Sequence, residues 1–171
     1  MISIRDEIPA DAAEVRPILE AAFGQSTEAN IVDKLRSACS DLVALVAVEN
    51  DLVVGHILFS PATIEGPRGM IRGMGLAPMA VAPHRQREGI GSALVSRGLL
   101  ILRERRCPFI VVLGHSEYYP RFGFELASKH GLASQWEGVP DESFMVMILE
   151  PKAMQGARGV VRYRDEFDKA M

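Results

Sequence analysis

Ile2 and Ile4 alternate with polar neighbours, a period-two pattern that predicts a short first strand. Pro9-Ala10-Asp11 then reads as a helix start, ahead of Val15, Ile18, Leu19 and Ala22. Pro17 lacks an N–H and would clash inside a continuous helix, so the pattern predicts a kink there or a first turn that tolerates it. Glu28 to Arg36 sets Ile31, Val32 and Leu35 on one face and predicts a second helix. Leu42–Glu49 and Leu52–Phe59 are β-rich runs parted by Asn50-Asp51, a pair that favours tight reversal, and they predict an antiparallel hairpin. Pro61 is expected to end the second of these strands or to follow its end closely.

The turn-rich stretch Glu65-Gly66-Pro67-Arg68-Gly69 is expected to be an exposed link to a fourth strand, Leu76 to Val81. Pro78 within that strand cannot donate a ladder hydrogen bond, which argues against an ordinary central strand. From Gly91 to about Arg105, residues Leu94, Val95, Leu99, Ile101 and Leu102 form the broad apolar stripe of a helix that Pro108 stops. The uninterrupted apolar run Phe109–Leu113 then predicts a buried parallel strand, reached by a right-handed crossover. Glu117 to Phe122 predicts a short helical segment, Phe144 to Leu149 a late strand, and Val160 to Tyr163 a possible small one.

At 171 residues the chain is long enough to bury one substantial core without disulfides or metals. The two cysteines, Cys39 and Cys107, form no C-x-x-C pair and stand near no histidine at ligand spacing, so no metal site is expected. A formal net charge of −3 gives no general attraction to nucleic acid, although Arg85 to Arg87 and Arg103 to Arg106 are local basic clusters. The early charges of Arg5, Asp6 and Glu7 do not suit a signal peptide, and no apolar run approaches the roughly 18 residues of a membrane span. A cytoplasmic protein without membrane contact is expected.

Gln86-Arg87-Glu88-Gly89-Ile90-Gly91-Ser92, between the fourth strand and the long helix, is the most informative segment. Gly89 and Gly91 permit left-handed backbone, so consecutive N–H groups can face an anion at the positive end of the helix. The spacing is neither the G-x-G-x-x-G of a dinucleotide turn nor the G-x-x-x-x-G-K-[ST] of a P-loop. By itself a Gly-x-Gly pair can also be only a tight turn. Further along, Tyr118-Tyr119-Pro120-Arg121-Phe122-Gly123-Phe124 follows the buried strand.

These two segments, in this order, resemble the GNAT superfamily of acyl-CoA N-acyltransferases, with its Q/R-x-x-G-x-G loop and Y-x-x-x-G-F ending. The likeness spans roughly Ile2 to Leu149 and extends to a bacterial branch with a Y-Y-x-R-F-G-F ending. It implies one α/β domain over 1–150, with a mixed, mostly antiparallel sheet splayed between strands four and five and flanked by helices. Residues 151–171 are then an extension packed on the same domain. The implied donor is acetyl-CoA, with no metal. Main-chain groups of Met79, Ala80 and Val81 would meet its pantetheine arm, and Gln86, Arg87, Glu88, Gly89, Ile90, Gly91 and Ser92 would cradle its diphosphate.

The resemblance further implies that Tyr119 gives a proton to the leaving thiolate, for which an ordinary phenol suits. The fourth strand carries no acid where many members place the base. Glu28, at the start of the second helix, is the candidate for binding the acceptor amine, against the alternative of a solvated helix-terminal glutamate. His115 replaces the Asn of many members and is a candidate relay, whereas His56 reads as a structural histidine. The expected reaction is acetyl transfer to a primary amine of a small molecule or protein by direct attack, since neither cysteine falls in either segment. A non-catalytic acyl-CoA sensor or protein-interaction module is the alternative, a nucleotide-binding enzyme a weaker one, and a homodimer is possible.

Overall fold

Asn50 and Asp51 both hold left-handed backbone, with φ of 52° and 64°, as a two-residue hairpin turn requires. They join β2 (Val43–Glu49) to β3 (Leu52–Gly66), which pair antiparallel from Glu49↔Leu52 to Val43↔Phe59. β1 (Ser3–Asp6) adds to β2 antiparallel. The coordinates are a computed structural model that describes residues 1–168; the last three residues of the expected extension 151–171 lie outside the described residues.

The strand that contains Pro61 does not stop there. β3 continues to Gly66, because the register with β2 already ends at Phe59, so the missing N–H of Pro61 breaks no bond to that neighbour. Beyond that point β4 (Gly69–Val81) remains its hydrogen-bonded neighbour in the sheet, and two bonds of 2.9 Å between Thr63 and Arg162 add an isolated antiparallel bridge. A turn at Pro67-Arg68 leads directly into β4, which begins seven residues before Leu76. The earlier start was hidden by glycine: a Cβ at Gly73 would stand 2.5 Å from the Phe109 carbonyl oxygen, and one at Gly75 would stand 2.6 Å from the Tyr163 ring. These glycines serve close packing within a strand rather than a loop.

The remaining elements are α1 (Ala12–Phe23), α2 (Thr27–Ala38), α3 (Ile90–Glu104), β5 (Phe109–Leu113), β6 (Glu125–Leu126), β7 (Leu132–Ser134), β8 (Phe144–Ile148), β9 (Gly159–Val161) and α4 (Asp165–Asp168). The main sheet has the order β1-β2-β3-β4-β5-β8-β6, and β7 pairs with β9 in a second, two-stranded parallel sheet. β4 and β5 pair in parallel from Met74↔Ile110 to Leu76↔Val112, amid antiparallel neighbours. The fold is thus an α/β fold with a mixed sheet.

Contacts divide the chain into two compact units. Among the described residues the first comprises Met1–Phe59, Ala77–Ile101 and Asp165–Asp168, and buries Leu19, Val32, Leu35, Leu45, Ile57 and Leu94. In it, Gly55 faces Ile90 and Leu94 of α3, whereas the next residue, His56, points to the other face. There its ring lies against Glu7, which is bonded to Arg36 of α2. Helices therefore cover both faces of this part of the sheet. α1 runs through the exposed Pro17 and follows a separate 3₁₀ turn at Pro9–Asp11.

The second unit comprises Ser60–Leu76 and Leu102–Arg164. Its core is the apolar run Phe109–Val112 paired with Phe144–Ile148, with Phe124, Leu132 and Val161 also buried. The region beyond Pro151 belongs to this unit as far as Arg164, and its Gly156 lies so close to Pro67 that a Cβ there would stand 2.7 Å from the proline ring.

Candidate functional site

In the first unit the anion loop is carried by β4 and α3, and two glycines set the depth at which the helix sits. A Cβ at Gly98 of α3 would stand 2.3 Å from the ring of Phe59 on β3. One at Gly55 would meet Ile90 and Leu94 at 3.1 Å. Helix and strand approach closely because neither position has a side chain, and Ile90 is thereby buried at the first turn. Met79 and Val81 at the end of β4 are half-buried and Ala80 is buried.

Between them a 3₁₀ turn, Pro83–Arg85, leads into Gln86, Arg87, Glu88 and Gly89, all exposed. The left-handed residues are Arg87, with φ 65°, and Gly89, with φ 86°. Gly91, expected to turn with Gly89, instead belongs to the first turn of α3. The two left-handed positions reverse the chain ahead of α3, and turns with such positions can gather main-chain N–H groups. A Cβ at Gly89 would meet nothing within 4 Å, so glycine is needed there for its backbone and the space outside the turn is open. The Ala93 N–H donates to the Gly89 carbonyl at 3.0 Å, which makes Gly89 the cap. The amides of the first turn, from Ile90 to Ser92, project from the positive end of a fifteen-residue helix.

The side chains of this loop do different things. Gln86 donates through Nε2 to the Val81 carbonyl at 3.1 Å, tying the loop to the end of β4. Arg85, from the local basic cluster Arg85 to Arg87, is engaged with carboxylates. Its two terminal nitrogens donate to both oxygens of Glu49 at 2.9 and 3.0 Å, and its Nε donates to Glu88 at 3.1 Å. Those hydrogen bonds, first to Glu49 and then to Glu88, raise the guanidinium above its usual range.

Glu28 lies half-buried at the first turn of α2, where Gln25 Nε2 donates to its carboxylate oxygens at 3.1 and 3.2 Å. His56 is completely buried; its Nε2 stands 3.2 Å from Glu7 Oε1 without the alignment of a hydrogen bond. Burial by itself would raise the Glu7 carboxyl, but His56 and Arg36 outweigh it and hold the group at about 2. Arg36 bonds Glu7 through Nε at 3.1 Å and Asp33 through Nη1 at 2.9 Å.

In the second unit Tyr119 opens a 3₁₀ turn, Tyr119–Phe122, and is 7% exposed. Its ring meets Tyr118 and Phe124 edge-on, with centroids 5.0 and 5.7 Å apart. It also lies against Gly114, where a Cβ would stand 2.3 Å from the ring. Burial, and secondarily Tyr118, pushes the Tyr119 phenol up to about 12. Tyr118 is half-buried and carries the Arg121 guanidinium 4.5 Å above its ring. His115 is exposed, and its carbonyl accepts the Tyr118 and Tyr119 amides at 3.1 and 3.4 Å. Tyr163, given no role by the sequence, is buried against Gly75 and Trp136, and its phenol is raised by burial and then by Tyr119. Only its aromatic character near the chain's end marks it.

Cys39 is half-buried, and the buried Cys107 donates to the Phe109 carbonyl. Among the described residues no group of three or more His, Cys, Asp or Glu side chains gathers as a metal site requires, and no helix is long and apolar enough to cross a membrane.

Comparison with known proteins agrees with this arrangement. Residues 3–127 match the model of the acetyltransferase (GNAT) domain. The chain is 35% identical over 167 residues to the protein named uncharacterized N-acetyltransferase YhbS of Escherichia coli strain K12, covering 97% of this chain and 98% of the relative. The crystal structure of E. coli GNAT family N-acetyltransferase YhbS in complex with CoA superimposes with a TM-score of 0.88, at 34% identity, over 98% of this chain and 92% of that one. A GNAT family acetyltransferase from Brucella melitensis in complex with acetyl-CoA gives 0.80 at 37% identity, over 98% and 99% of the two chains. A matching model over most of the chain and near-full-length relatives above 30% identity lead to one conclusion: the chain belongs to the GNAT acetyltransferase family.

Proposed function

We propose that this protein transfers an acetyl group from acetyl-CoA to the primary amine of a small molecule or protein, by direct attack within a ternary complex, and that residues 1–150 carry the reaction. The observation that carries this reading is the turn from Arg87 to Ser92. Left-handed backbone at Arg87 and Gly89, open space outside Gly89 and the positive end of α3 together support a cradle whose charge suits a diphosphate. The complexes of the E. coli and Brucella relatives with CoA and acetyl-CoA support the choice of donor.

Acetyl-CoA supplies an activated thioester. The amides at the head of α3 bind its diphosphate, and main-chain groups of Met79, Ala80 and Val81 align its pantetheine arm. As the amine nitrogen bonds to the carbonyl carbon and the C–S bond breaks, a β4 amide stabilises charge on the carbonyl oxygen. Tyr119 gives its phenolic proton to the departing sulfur, and its raised pKa keeps it protonated beforehand. The amine's surplus proton passes to solvent, from which the Tyr119 phenolate regains one, and most of the acceleration comes from placement. Direct attack is favoured over an acyl-enzyme because Cys107 is buried and bonded to the Phe109 carbonyl and Cys39 lies at the far end of α2.

Thiol release from acetyl-CoA, measured across a panel of amines with wild type and Tyr119→Phe, tests the proposal. Turnover with at least one amine, lowered about a hundredfold or more in Tyr119→Phe, is expected. Tight CoA binding without turnover on any amine would instead identify a sensor.

A further inference from the structure

Arg85, in the 3₁₀ turn that leads into the Gln86–Ser92 loop, is a charged residue that the reaction above leaves without a task, and its surroundings define one. All three of its guanidinium nitrogens are bonded to carboxylates. Nη1 and Nη2 form a two-pronged bond to Glu49, at 2.9 and 3.0 Å, and Nε meets Glu88 at 3.1 Å. Glu49 is the last residue of β2 and pairs with Leu52 across the hairpin turn, so it is a fixed platform. Its side chain is 24% exposed and that of Arg85 20%, while that of Glu88 is 46% exposed.

Glu88 immediately precedes Gly89, the cap of α3. A carboxylate there is attracted to the same positive helix end that an incoming diphosphate must occupy, and it repels that diphosphate. The sequence thus places a negative charge at the mouth of a site for a polyanion. We propose that Arg85 is a positioning residue for the diphosphate turn: it clamps the turn to the end of β2 through Glu49 and draws the Glu88 carboxylate aside by pairing with it. The proposal rests on the acetyl-CoA reading of that turn. Lysine cannot replace the fork, because an ammonium is a single point that can meet one carboxylate well but has no planar pair of donors for Glu49 and a third for Glu88.

The test compares wild type, Arg85→Ala, Arg85→Lys, Glu88→Gln and the double variant Arg85→Ala/Glu88→Gln. CoA affinity is read by calorimetry, folding by thermal melts, and steady-state kinetics with acetyl-CoA and with S-acetylpantetheine, which lacks the diphosphate. Arg85→Ala is expected to weaken CoA binding and raise the KM for acetyl-CoA roughly tenfold, a shift of one decade in affinity, with kcat kept within about twofold. Its kinetics with S-acetylpantetheine should match wild type. Arg85→Lys should fall between the two, and Glu88→Gln should bind CoA at least as tightly as wild type. The double variant should recover part of the Arg85→Ala loss, which a merely structural role for the arginine would not produce. Wild-type affinity in Arg85→Ala, equal losses with the two donors, or no recovery in the double variant overturns the positioning role while leaving the acetyl-CoA reading intact. A wild-type protein that binds no CoA overturns that reading and this proposal together.

Discussion

The Tyr119 phenol is set by what encloses it. Desolvation disfavours the phenolate, so the hydroxyl stays protonated up to about 12 and remains a donor throughout the range in which an amine acceptor becomes neutral. The rate should therefore rise as the acceptor deprotonates and then level, with no alkaline fall from Tyr119 below about pH 10. A pH profile of kcat/KM that turns down near pH 8 and loses that limb in Tyr119→Phe would remove this assignment. Gly114→Ala offers a steric test. The new Cβ would stand 2.3 Å from the Tyr119 ring, so the ring must move and turnover should fall about as far as in Tyr119→Phe, with CoA affinity kept. Glu7 illustrates the opposite shift. Its folded-state value near 2 lies below the ordinary 4.5, so its stabilising effect is complete above about 4.5 and fades as pH falls from there towards 2. Glu7→Gln should cost about 1–3 kcal/mol at neutral pH, as loss of a charge-assisted bond to Arg36 does, and should flatten the fall in melting temperature between pH 4.5 and 2. At this scale the sequence disclosed residue types rather than partners. Tyr119 was legible because a local pattern names it, whereas Glu49 and Arg85 meet across 36 positions and Glu7 and Arg36 across 29, distances over which no spacing rule operates.

Among the elements, α3 decides how the anion loop is presented, and its seat on β3 rests on the absence of two side chains. Gly98→Ala should raise helix propensity by about 1 kcal/mol, yet the added carbon would stand 2.3 and 2.5 Å from two atoms of the Phe59 ring. Overpacking costs about 1–3 kcal/mol, so the net effect is destabilising, and tilting of α3 should weaken CoA binding as well. Pairing the substitution with Phe59→Leu should recover part of both losses; simple additivity in melts and calorimetry would show that helix and strand are not coupled there. Elements of five or more residues were largely legible because periodicity identified them: the β2–β3 hairpin, α3 and the buried β5 run all follow the hydrophobic pattern. Two errors of extent, the early end given to β3 and the late start given to β4, have one cause. Pro61 and the glycines at 73 and 75 are local strand-breaking signals, and tertiary contacts with Arg162, Phe109 and Tyr163 override them. β6 and β7, of two and three residues, are too short to carry any period, and β7 exists through its parallel pairing with β9 some 27 positions later.

For the molecule as a whole, binding and stability are linked. A ligand that binds only the folded chain adds RT ln(1 + [L]/Kd), about 2.7 kcal/mol at a concentration one hundred times Kd. For a chain of 171 residues each kcal/mol moves the midpoint by about 2–4 °C, so saturating CoA should raise the melting temperature by about 5–10 °C. The net charge of −3 opposes a polyanion weakly at long range, and the proposed cradle acts through main-chain dipoles whose reach is short. The shift should accordingly decline only modestly between low and physiological salt, unlike binding through clustered lysines and arginines. S-acetylpantetheine at equal concentration should give a much smaller rise, because the groups that meet the helix end are missing from it. Thermal melts with both ligands at two salt concentrations decide the matter: equal shifts for the two would mean that the diphosphate contributes nothing, and the turn from Arg87 to Ser92 would then be a chain reversal rather than a binding element.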